Sequence, residues 1–149
     1  MARLHLHIGG PKTGTTSFQT ALAREGALDG TAFWTPRVGQ VRNGAHHYLL
    51  RFLIGVFEQP GERIDPIAHL REEMRTQSGD AIISSEYGTR LLLYYDAAFG
   101  HMLDRFNDVF DDISVIQVWR NASSLISSRY QQSLCNLQHS EDFEACARR

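Results

Sequence analysis

Residues 7–22 read HIGGPKTGTTSFQTAL, and the fold turns on how this stretch is taken. Upstream, Arg3–Ile8 alternates, with Leu4, Leu6 and Ile8 on one side and His5 and His7 on the other, which predicts a β-strand. Downstream, Thr15–Arg24 places Phe18, Ala21 and Leu22 on one face, which predicts a helix. A Gly/Pro/Thr turn joins them. It holds the only lysine of the chain, Lys12, since 14 of the 15 Lys+Arg residues are arginine.

The same alternation of elements continues. TAFWTP at 31–36 predicts a short strand stopped by Pro36, and 43–57 predicts a heavily buried helix. Asp65 followed by Pro66 is an N-cap with proline at the first helical position, and Ile67, Leu70 and Met74 give that helix its apolar stripe. DAIISSE at 80–86 has the pattern of a buried strand. Tyr87–Phe110 predicts helix with a break near Gly100. ISVIQVW at 113–119 is the strongest strand pattern in the chain. Asn121–Leu137 predicts a helix with Ala122, Ile126, Tyr130, Leu134 and Leu137 as its stripe, and the polar residues from Ser140 predict a frayed end. Strands separated by helices argue for an α/β fold, a three-layer sandwich with a mainly parallel central sheet. In such sheets ligands bind beyond the carboxyl ends of the strands. The Lys12 turn, Glu86 and Arg120 all fall at such ends.

The totals constrain function. At 149 residues the chain predicts a single domain over 1–149. A net charge of −2 gives no global basic field for nucleic acid, so any anion site must be local. The most apolar stretch, 48–57, is too short to span a bilayer and contains Arg51; it reads as core. Cys135 and Cys146 form no metal-ligand pattern with nearby histidines, and no metal site is expected. Free thiols and no visible targeting segment predict a cytoplasmic protein.

Set against the phosphate-binding loop G-x-x-x-x-G-K-[ST], Gly9 and Gly14 match the two glycines and Thr16 the final hydroxyl. The lysine is displaced: Thr15 takes its place and Lys12 lies inside the loop. Backbone N–H groups and a helix N-terminus still provide an anion cradle. A second anchor lies in WRNASSLISSRYQQSL at 119–134. Arg120 stands at a strand–helix junction and Ser128 follows eight residues on, about two helical turns away. A guanidinium and a hydroxyl so spaced can converge on one phosphate.

Together, PKTGTT after the first strand and RN…S after a later one resemble the two cofactor signatures of the sulfotransferase superfamily, and HIGxPKTGTTSxQ looks like its bacterial members. The resemblance implies a P-loop-type fold and 3′-phosphoadenosine 5′-phosphosulfate (PAPS) as cofactor, with its product 3′-phosphoadenosine 5′-phosphate (PAP). It implies that Lys12, Thr13, Gly14, Thr15 and Thr16 hold the 5′-phosphosulfate and that Arg120 and Ser128 hold the 3′-phosphate. The reaction it implies moves a sulfuryl group to a hydroxyl or amine acceptor, a small molecule or a glycan, with Lys12 stabilising charge on the leaving oxygen. It covers the first part of the usual domain, so a chain lacking the usual C-terminal part is expected: a truncated form, a minimal form, or one completed by a partner or a second copy. Such a reaction needs a general base. Glu86 is the first candidate and His46 and His47 the second; a salt bridge from Glu86 to Arg90 is the structural alternative. His5 and His7 are expected to pack beneath the helices covering the sheet. A Mg²⁺-dependent nucleotide kinase or NTPase and a non-catalytic nucleotide-binding module are the competing readings.

Overall fold

The computed structural model describes residues 2–10, 13–25, 33–55 and 65–135, with the side chains of residue 25 and residues 132–135 left aside. Four strands form one all-parallel sheet: β1 (Arg3–His7), β2 (Phe33–Trp34), β3 (Asp80–Ser84) and β4 (Asp112–Ile116), in the order β2-β3-β1-β4. Among the described residues, six helices accompany them: α1 (Thr15–Glu25), α2 (His47–Leu53), α3 (Pro66–Thr76), α4 (Tyr87–Tyr94), α5 (Asp96–Asn107) and α6 (Ala122–Cys135).

Register explains the layers. Leu4 pairs with Ala81 and Ile113, and Leu6 with Ile83 and Val115, so one face of the sheet is wholly apolar. Helices α2 to α5 cover it. Leu49, Leu50, Leu53, Ile67, Leu70, Leu91, Phe99, Met102 and Phe106 pack with Leu4, Leu6, Ile8 and Ile83 into one core. The opposite face carries His5 with Ile82 and His7 with Ser84 and Ile116. Helix α1 lies over it, with Phe18 edge-on to His7 at 4.9 Å between ring centroids and Leu22 buried. The chain is thus an α/β sandwich of three layers. His7 is buried there as expected, whereas His5 is half-buried with its Nε2 3.3 Å from Asp80 Oδ2. None of the helices among the described residues is long and apolar enough to cross a membrane.

Local chemistry sets most boundaries. Asp65 accepts from the Ile67 N–H at 3.0 Å and Pro66 opens α3, the expected cap. Other boundaries move. The helix expected over 43–57 spans only His47–Leu53, because Gly44 takes φ +80° and His46 is tied to β3 instead; residues 56 and 57 lie outside the described residues. The break expected near Gly100 falls at Tyr95 (φ −146°, ψ 58°), and Gly100 lies inside α5. A continuous helix would put Tyr95 on the buried line that runs from Leu91 to Phe99; the break leaves its ring 53% exposed. Of the strand expected over 31–36, the described residues show Phe33–Trp34, residues 31 and 32 lying outside them; that of 80–86 ends at Ser84, and that of 113–119 spans Asp112–Ile116. In α6, Ile126 and Tyr130 are half-buried but Ala122 is exposed; the side chain of Leu134, the whole of Leu137 and the tail from Ser140 lie outside the described residues.

Candidate functional site

The loop after β1 is shaped by two glycines with different duties. Gly14 takes φ +85°, a left-handed conformation that glycine adopts without strain, and its carbonyl accepts from the Ser17 N–H at 3.1 Å as α1 begins. Gly9 is a matter of space: a Cβ there would overlap the Thr15 methyl group and would lie 3.1 Å from both His7 Nε2 and Thr13 Oγ1. Thr13 closes the loop by donating to the Gly10 carbonyl at 2.6 Å. Thr16 is exposed at the start of α1. Lys12 and Pro11 lie outside the described residues.

The carboxyl end of β3 is the organising element. Ser84, Ser85 and Glu86 follow one another, and each receives a different part of the molecule. His7 Nδ1 lies 2.8 Å from Ser84 Oγ, which also accepts from Gln19 Nε2 at 3.2 Å. His47 Nδ1 lies 2.7 Å from Ser85 Oγ, and Ser85 also accepts from the Tyr87 N–H at 3.3 Å. Glu86 accepts from the Thr15 hydroxyl. The three residues therefore tie β1, the first turn of α1 and the first turn of α2 to one point. Glu86 makes no salt bridge with Arg90 among the described residues.

Three histidines respond differently to this environment. His46 is fully buried, accepts at Nδ1 from the Ser84 N–H at 3.2 Å and donates from Nε2 to the Pro36 carbonyl at 2.8 Å. Burial drives its pKa down to about 4, against the opposing pull of the Pro36 and Ser84 carbonyls that face its two ring nitrogens. With both nitrogens committed to backbone and no exposure, His46 has no path to a substrate proton; it clamps the segment before α2 onto β3. His47 is half-buried, with a pKa lowered by burial and by the Arg51 charge and raised in part by Glu86. His7 is lowered by burial and raised in part by the same carboxylate. Glu86 thus lies within electrostatic reach of two neutral imidazoles on opposite sides.

Three hollows surround these groups. One, about 890 Å³, has Glu86 and His47 in its wall together with Arg51, Arg90 and Arg129. A second, about 610 Å³, runs from Thr13, Gly14 and Thr15 along His7, Phe18 and Ile82 and is almost entirely apolar. The third, about 450 Å³, is polar and brings Arg120 together with Ser123, Ser124, Ser127, Ser128 and Gln131. The two residues singled out at a spacing of eight thus line one hollow. Its location follows from the sheet: β4 is the direct neighbour of β1, and the Gly10 N–H reaches the Val118 carbonyl at 3.5 Å. The glycine loop and the approach to Arg120 run side by side.

Of the residues expected from the sequence, Thr13, Gly14, Thr15, Glu86 and His47 come together around the ends of β1 and β3, and Arg120 and Ser128 come together beyond β4. The partners that fix them, Ser84, Ser85 and Gln19, and the arginines Arg51 and Arg129 went unmarked. Two adjacent hydroxyls closing the apolar run of DAIISSE were the available signal, because buried hydroxyls require partners. Compared with known proteins, the chain matches no family model, no curated protein and no solved structure.

Proposed function

We propose that this protein is a PAPS-dependent sulfotransferase built on a P-loop-type α/β sandwich. The observation that supports the reading is that β4, which leads to the hollow lined by Arg120 and Ser128, is the direct neighbour of β1, which leads to the glycine loop; both are arrangements suited to an anion. A cofactor with phosphoryl groups at both its 5′ and 3′ ends suits two such arrangements. Loop N–H groups and the start of α1 would take the 5′-phosphosulfate. The guanidinium of Arg120 and the hydroxyl of Ser128 would take the 3′-phosphate. Lys12, beyond the described residues, is assigned on sequence grounds to the charge that develops on the leaving oxygen.

In the reaction, the acceptor oxygen attacks sulfur as the bond from sulfur to the bridging phosphate oxygen breaks. PAP leaves with that electron pair, and the acceptor proton passes to a base. Glu86 fills that role best. It is the only carboxylate among the described residues in the wall of the hollow that also holds His47, and its contact to Thr15 holds it next to the loop. His47, kept neutral by burial, lines the same wall with Nδ1 held at Ser85. A neutral imidazole there can accept a hydrogen bond from the acceptor or stabilise the protonated carboxyl group.

The test is calorimetric titration with PAP, and separately with ATP plus Mg²⁺, on the wild type, Lys12→Ala and Arg120→Ala. Preference for PAP without metal, weakened in both variants, is the expected result. Preference for ATP with Mg²⁺ overturns the reading in favour of a kinase or NTPase. PAP binding without any release of PAP from PAPS would leave a non-catalytic binding module.

A further inference from the structure

The hollow that holds Glu86 and His47 has a charge that the chain as a whole does not. The protein carries a net −2, yet among the described residues this wall presents Arg51, Arg90 and Arg129 against one carboxylate, Glu86. The three arginines come from three different helices, α2, α4 and α6, so their convergence is a product of the fold rather than of one basic run. Arg90 and Arg129 are exposed, and neither makes a salt bridge among the described residues. The rim is aromatic: Tyr94 is 74% and Tyr95 53% exposed, at the junction of α4 and α5. Tyrosine faces against guanidinium groups suit a ring that also bears negative charge, because the aromatic faces cover the ring while the planar donors pair with the anion.

Cofactor phosphates do not account for this charge. Arg129 follows Ser128 directly, but the two sit about 100° apart around α6, and they line different hollows. Helix α6 thus separates the polar hollow of Arg120 and Ser128 from the arginine-walled one.

From these features we infer that the hollow holding Glu86 and His47 selects a ring-bearing, hydroxylated acceptor that carries its own carboxylate, sulfate or phosphate, with Arg90 and Arg129 as specificity-determining residues. The word acceptor rests on the transfer reading above; the anionic ring site does not. Arg51, deeper in the wall beside His47, adds to the same field. The anion would lie toward the α4–α6 side of the cleft, leaving a ring hydroxyl to face Glu86.

The experiment compares two probes differing in one group, p-nitrophenyl β-glucuronide and p-nitrophenyl β-glucoside, titrated calorimetrically into the full chain without cofactor. Wild type, Arg90→Gln, Arg129→Gln and the double variant are used. Both positions are exposed, and circular dichroism checks that each variant keeps its fold. The wild type is expected to bind the glucuronide roughly tenfold or more tightly, as befits a charge-assisted contact, with the preference falling to within about threefold in the double variant. Equal binding of both glycosides, a preference unchanged in the double variant, or no binding of either up to about 10 mM overturns the inference. A parallel PAP titration separates the two readings. PAP binding without a glucuronide preference overturns only the acceptor class, whereas a glucuronide preference without PAP binding upholds the anionic ring site and overturns sulfuryl transfer.

Discussion

The carboxyl ends of β3 and β4 lie on opposite sides of β1 and could hardly differ more. At the end of β3, Ser84 and Ser85 are fully buried, and every polar side chain from Ser84 to Glu86 is hydrogen-bonded to another element. At the end of β4, Val118 is 37% and Trp119 69% exposed, Arg120 is exposed, and the serines that follow line an open hollow. The first end is assembled by the protein itself, so the groups proposed for chemistry are in place before any ligand arrives. The second lies open to solvent, where an incoming ligand can reach it. Proton transfer needs fixed geometry, whereas an anion anchor needs charge and access.

The largest expected effect is catalytic. Glu86→Gln keeps the shape at the end of β3 but removes the base, and release of PAP by transfer of the sulfuryl group from PAPS to water should fall by about 10²–10⁴-fold. His47→Ala should fall less. A larger loss in His47→Ala would exchange the two roles.

Next comes the pH dependence of stability. His46 binds a proton near the ordinary histidine value when unfolded but only near pH 4 when folded. Its contribution is therefore present above about pH 6.5 and is lost as pH falls toward 4, by about 3 kcal/mol in all. His7 and His47 are shifted in the same direction and add to the slope. Urea midpoints at pH 7.5 and pH 5 should show the loss, and a His46→Gln variant should flatten it; an unchanged slope would mean that the end of β3 is less closed than its hydrogen bonds indicate.

The β4 side should respond in affinity rather than stability. Arg120→Ala should weaken PAP binding by roughly 10- to 100-fold, the size of a hydrogen bond to a charged group. Smallest of all, Trp119→Ser should change the unfolding free energy by no more than about 0.5 kcal/mol, since an exposed side chain away from any special feature contributes little. A clear destabilisation by Trp119→Ser would erase the contrast between the two strand ends.

Much of this was legible in the sequence because the signals are local. Alternation in RLHLHI, the glycines flanking Lys12, the Asp65–Pro66 cap and the spacing from Arg120 to Ser128 each depend on a few neighbouring residues. The anchoring role of Ser84 and Ser85 was not legible, because their partners lie far away in the chain: the parallel pairing of β1 with β3 brings His7 to Ser84, and the bond from the His46 N–H to the Ser84 carbonyl brings His47 to Ser85. His46 looked equivalent to His47; one residue of difference puts its ring into the backbone of β3 rather than the wall of the cleft. The arginine wall was hidden for the same reason, since Arg51, Arg90 and Arg129 share no sequence pattern. The break at Tyr95 was missed because glycine is the stronger breaker by propensity, while burial of Phe99, Met102 and Phe106 keeps Gly100 helical.

The position of β1 in the sheet has a consequence for how the molecule is made. It precedes both of its neighbours in the chain, β3, with Leu4 opposite Ala81, and β4, with Leu4 opposite Ile113. Its ladder to β3 cannot close until the chain through Ser84 has been made, and each closure spans a long loop whose entropy must be overcome first. Until then its alternating Leu4, Leu6 and Ile8 have no sheet to join. The glycine loop, which hangs from the end of β1, therefore acquires its surroundings on both sides only after β3 and β4 have paired with that strand.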